Sequence, residues 1–169
     1  MSDSGIAPQA AMVRAETIAN TVATAVIAAG LSWLIFHGRS EIPALAPPPD
    51  GLFGMLPGTF NFTFLVSLVL TLIVRRRVRA GVCQRLQPSE GSRWGAGLPR
   101  HVAARALVLA LGVTAIGVPA GVGAVWLSIR LGWLPLSWSV AGMTAFFVLY
   151  FIVLALVVTP VTVWRALRD

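Results

Sequence analysis

Glu16, Asn20 and Thr24 stand four residues apart, a spacing that puts a carboxylate, a carboxamide and a hydroxyl on one face of a helix. Thr17 and Thr21 flank them. If that helix crosses a membrane, the stripe could line an ion or proton path, because an ionisable group inside a bilayer is costly and usually serves a function. The competing role is structural. Glu16 precedes the first long apolar run, near a helix N-terminus whose dipole favours a carboxylate, and Arg14 or Arg105 is available to pair with it. Asn61, Thr63, Ser67 and Thr71 make a second, weaker polar series.

The remaining reactive inventory is thin. Cys83 is the single cysteine, which excludes an intrachain disulfide and a cysteine-rich metal site. Its arginine-rich setting suits an inert or lipidated thiol better than a catalytic one. His37 and His101 are expected at opposite membrane faces, where they cannot together ligate one metal or haem, although one histidine could hold a pigment or haem with help from a partner chain. There is no nucleophile with its base, no paired carboxylates and no phosphate loop, which argues against an enzyme. No cofactor or metal is expected.

The elements that must carry these groups follow from composition. Hydrophobic residues make up 57% of the chain and charged residues 11%, against about 25% charged in soluble domains. Mean hydropathy is +0.82. Four runs approach or exceed the roughly 20 apolar residues that cross a core of about 30 Å: 18–36, 59–74, 102–129 and 137–164. Backbone groups find no water in lipid, and none of these runs alternates as a barrel strand would, so all four are predicted to be helices. The expected fold is all-α, a single polytopic transmembrane domain over 1–169 with an outer loop at 37–57 and a basic loop at 75–100.

The formal charge of +7 would suggest nucleic acid in a soluble protein, so the position of each charge decides its meaning. All thirteen basic residues are arginine. Eleven fall on one side of the four spans: Arg14 before the first, eight from Arg75 to Arg105, and Arg165 and Arg168 after the fourth. Only Arg39 and Arg130 fall on the other. Positively charged short loops stay in the cytoplasm, so both termini are expected inside, in a membrane predicted to be the bacterial inner membrane. Arg75, Arg76, Arg77 and Arg79 then act as an orientation signal and as contacts for lipid headgroups. Trp94 is the one aromatic in the loop from Arg75 to Arg100, too little for a nucleic-acid platform, and no nucleic-acid role is expected.

The two halves are weakly similar. RAETIANTVATAVIAAG from Arg14 resembles RALVLALGVTAIGVPAG from Arg105, and GTFNFTFLVSLVLTLIV from Gly58 lines up with GMTAFFVLYFIVLALVV from Gly142. This predicts two tandem two-helix halves about an axis along the membrane normal. Alanine and glycine concentrate in the first and third spans, which predicts that these two pack centrally, with Gly117 and Gly121 as a close-approach pair and Pro119 bending the helix between them. Phe60, Phe64, Phe146, Tyr150 and Phe151 would then be left to meet lipid or partner helices.

The expected function is that of a non-catalytic accessory, scaffold or assembly subunit of a larger membrane complex. Its partners would be the lipid bilayer and other membrane subunits or a second copy of itself. The alternative is a small oligomeric transporter or channel that uses the polar stripe of the first span.

Overall fold

The computed structural model describes residues 6–44, 54–83, 99 and 101–168, with side chains from Gln9 onward. Arg85, Arg93, Trp94, Arg100 and residues 45–53 of the outer loop lie outside the described residues. Four helices account for nearly all the rest: α1 (Ile6–Phe36), α2 (Met55–Arg79), α3 (Val102–Arg130) and α4 (Val140–Arg168). Each is long and apolar enough to cross a membrane, over stretches of 28, 25, 29 and 29 residues. Even the shortest, at a rise of 1.5 Å per residue, reaches about 37 Å, more than the hydrocarbon thickness of about 30 Å.

Two helices outrun their apolar stretches for a local reason. Between Gln9 and Glu16 the chain offers Ala, Met, Arg and Glu, all strong helix formers, so α1 starts well before the apolar run at residue 18. α2 continues through its arginines to Arg79, where cations complement the negative end of the helix dipole. Glycines then stop the helices. Gly81 (φ 72°) and Gly132 (φ 75°) take the left-handed conformation that lets the following amide reach back, Val82 to the Arg77 carbonyl at 3.0 Å and Trp133 to the Ser128 carbonyl at 2.9 Å.

The bundle has a basic end and an opposite end. At the basic end, Val13 of α1 packs with Leu70 and Val74 of α2 and with Val163, Ala166 and Leu167 of α4. At the opposite end, Phe36, Met55, Val118, Val125, Met143 and Phe147 form the larger core. A two-residue antiparallel ribbon caps it: β1 (Ile42–Pro43) pairs with β2 (Ser137–Trp138), Ile42 facing Trp138. Trp33 and Trp133, both well exposed, stand at this end, as interfacial tryptophans do.

The packing order corrects the expectation that the small-residue helices are central. α1 rests on α4, α4 on α2 and α2 on α3, so α2 and α4 form the middle. Of the most apolar stretch, 17% of residues are buried in α1 and in α3, against 33% in α2 and 39% in α4. The physical reason lies in the hydroxyls. Alanine and glycine lose nothing by facing lipid, whereas serine and threonine are also small enough for close packing, and inside the bundle their hydroxyls can bond across to a neighbouring helix, as Thr59 does to Tyr150 and Ser67 to Thr162. α2 and α4 carry Thr59, Thr63, Ser67, Thr71, Thr159 and Thr162, all buried. The aromatic residues follow them inward: Phe147 meets Phe36, Phe151 meets Phe62 edge-on, and Trp138 meets Phe146 edge-on.

Candidate functional site

The polar stripe of α1 does not converge on one place. Glu16 makes an ion pair with Arg77 of α2. Arg14 and Arg105 are not its partners. Arg14 is two positions away, on another side of the same helix, and Arg105 is buried on α3, beyond α2, with its guanidinium donating to the Thr71 hydroxyl at 3.4 Å. One turn further along α1, the Asn20 amide donates to the Thr159 hydroxyl of α4 at 2.7 Å. Thr24 is buried and Thr17 donates to its own helix at the Val13 carbonyl. The stripe therefore ties α1 to α2 at the basic end and to α4 a turn deeper.

A second polar line runs through the middle of the molecule. Thr59, Thr63, Ser67 and Thr71 recur every fourth residue of α2, each at most 1% exposed, over about 18 Å of helix. Thr59 shares a hydrogen bond with the Tyr150 hydroxyl at 2.9 Å, and Ser67 one with Thr162 at 3.3 Å. Thr63 has no hydrogen-bond partner among the described residues. Sequence reasoning grouped Asn61 with this series and missed Thr59. The strict four-residue spacing was the available signal, because Asn61 breaks it and lies exposed on another face. Tyr150, Thr159 and Thr162 were also missed, since their partners sit 91, 139 and 95 residues away in sequence.

Between α1 and α2 a crevice of about 420 Å³ opens to the surface of the bundle. Asn20, Thr24 and Ala28 line it from α1, Gly58, Asn61 and Phe62 from α2, and Phe151 of α4 forms its floor. Its walls are otherwise aliphatic.

Gly121 admits Met55 and Tyr150 so closely that a Cβ there would lie 3.0 Å from Met55 Cε and 3.3 Å from a Tyr150 ring carbon. Gly117 sits beneath the Tyr150 hydroxyl, at 3.4 Å by the same measure. Arg75, Arg76, Arg77 and Arg79 occupy the last turns of α2 at the basic end. Cys83 follows them, donating to the Met12 sulfur at 3.2 Å. His37 stacks on Trp33 at the opposite end from His101, which caps α3. Among the described residues no three His, Cys, Asp or Glu side chains come together as a metal set. No family model matches the chain, and neither the curated proteins nor the solved structures yield a match.

Proposed function

We propose that the chain is a non-catalytic accessory, scaffold or assembly subunit of a bacterial inner-membrane complex, with both termini in the cytoplasm. The observation that carries this reading is how the α1 stripe is used. Glu16 is held by Arg77 and Asn20 by Thr159, so the groups best suited to a conducting path serve to fasten α1 to its neighbours. The outward faces of α1 and α3, with Val22, Val26, Ile27, Leu111 and Ile116 exposed, are the surfaces on which lipid or other subunits would pack.

Orientation rests on the eleven-to-two arginine asymmetry, and internal duplication on burial as well as sequence similarity. With one constant offset, Thr59, Thr63, Leu70, Thr71 and Val74 of α2 correspond to Met143, Phe147, Leu154, Ala155 and Val158 of α4, and all ten are buried. The packing order α1, α4, α2, α3 also maps onto itself when the halves are exchanged, as an axis along the membrane normal requires.

A second reading, a small transporter, draws on the buried hydroxyl line of α2 and its unpartnered Thr63. Reconstitution separates the two. For an accessory subunit, liposomes containing the pure protein leak protons, Na⁺ and K⁺ no faster than protein-free liposomes. Flux that Glu16→Gln or Thr63→Val abolishes would replace that reading with the transporter.

A further inference from the structure

Over 18–36, 55–74, 106–129 and 140–164, every exposed residue is alanine, glycine, proline, valine, leucine, isoleucine or tryptophan, except Asn61. Asn61 lies about 21 Å of helix from Arg75, inside a hydrocarbon core of about 30 Å that begins at the arginines. Its carboxamide makes no hydrogen bond among the described residues. An acyl chain supplies neither donor nor acceptor, so at this depth the group is costly until another polar group meets it.

Asn61 also heads a seam. Asn61, Leu65, Leu68 and Leu72 follow one another in steps of four, three and four along α2, the heptad spacing by which two helices pack side by side. The row runs down the side of α2 away from the buried line of Thr59, Thr63, Ser67 and Thr71. The bundle leaves it open, with Leu65 55% and Leu72 53% exposed. A single asparagine in an otherwise apolar seam sets register and the number of helices that join. The offset that aligns the buried faces of α2 and α4 puts Ala145, Leu149, Ile152 and Leu156 in a matching row on α4, with alanine where α2 has asparagine. The two rows share an apolar shape, and the polar group belongs to α2 alone.

We infer that α2 pairs with the α2 of a second copy along this seam, the two Asn61 carboxamides hydrogen-bonded to each other. Copies inserted in one orientation carry Asn61 at one depth, which an unrelated helix does only by chance. A carboxamide is donor and acceptor together, so across a two-fold axis along the membrane normal each Asn61 N–H donates to the other copy's Asn61 carbonyl. The heptad spacing matches the left-handed crossing of about 20° that prevails in membrane bundles. Arg75 and Arg79 continue the row at the aqueous end, where salt screens like charges over about 8 Å, and the helices come closest at the Asn61 end. The pairing concerns α2 and does not rest on the subunit reading, which concerns α1 and α3.

The test uses the full chain in liposomes of phosphatidylcholine and phosphatidylglycerol, with donor and acceptor dyes on Cys83 of separate copies and energy transfer followed as lipid is added. Wild type is expected to dimerise, transfer falling on dilution as a monomer–dimer equilibrium requires. Asn61→Leu should weaken the dimer about fivefold, the equivalent of ~1 kcal/mol for an interhelical polar pair. Asn61→Gln keeps the carboxamide and should retain most of the dimer. Independently, in a Cys83→Ser chain, Leu65→Cys should give a disulfide-linked dimer on oxidation, and Leu149→Cys on the matching row of α4 should not. Helical circular dichroism identifies any Asn61 variant that fails to fold, and the cross-linking pair then decides. Monomer at every lipid ratio, a dimer that the folded Asn61→Leu leaves unchanged, or cross-linking through Leu149→Cys as ready as through Leu65→Cys would each overturn the pairing.

Discussion

Asn20 and Thr159 make a hydrogen bond between uncharged side chains that joins α1 to α4, and its worth is measurable. Polar pairs between membrane helices average about 0.6 kcal/mol in double-mutant cycles, because separated helices also find partners in the membrane. A cycle of Asn20→Leu and Thr159→Val, read by unfolding in mixed micelles, should give a coupling of that order. A coupling indistinguishable from zero would mean that the two side chains do not meet. Glu16 and Arg77 are partly exposed, so their cycle should give no more than about 1 kcal/mol and should weaken in high salt. The stripe itself was legible in sequence, since helical spacing alone aligns Glu16, Asn20 and Thr24. The partners were not. Among the described residues eight arginines share one end of the molecule, and choosing Arg77 over Arg14 or Arg105 depends on which helices are neighbours, which spacing along one helix does not encode.

At the scale of the helices, α3 supplies an internal control for close packing. Gly121 lies against Met55 and Tyr150, whereas a Cβ at Gly123 on the same helix would meet nothing within 4 Å. Gly121→Leu should therefore destabilise the bundle by about 1–3 kcal/mol through overpacking, visible as a lowered Tm in detergent, while Gly123→Leu should leave it within about 0.5 kcal/mol. Equal effects would mean that the Gly121 face does not pack inward. The number of helices, the end of α1 and both ends of α3 followed from apolar length, because lipid leaves the backbone no other structure. Which helices lie inside did not follow. The usual guide, burying the apolar face, fails when the solvent is itself apolar. Small alanines and glycines pointed to α1 and α3, while the hydroxyls of Thr59, Thr63, Ser67 and Thr71 set the centre. The ribbon joining Ile42 to Trp138 was equally hidden, being two residues long and formed between distant loops.

For the whole molecule, the charge asymmetry fixes an expected orientation. A membrane-impermeant thiol reagent should label Cys83 in inverted vesicles and leave it unlabelled in intact cells. Neutralising Arg75, Arg76, Arg77 and Arg79 together should give mixed orientation or failed insertion, read with the same reagent. The proposed subunit role makes the exposed apolar faces of the outer helices the place where other chains would pack. The measurement that bears most directly on that role is quantitative co-purification from native membranes in a mild detergent, with the chain tagged at its genomic copy number. The expected result is a fixed molar ratio to the same membrane proteins across independent preparations and tag positions, lost when Val22, Val26 and Ile116 on the outer faces are changed to tryptophan. Recovery of the chain by itself, in wild type and variants alike, would contradict a subunit role.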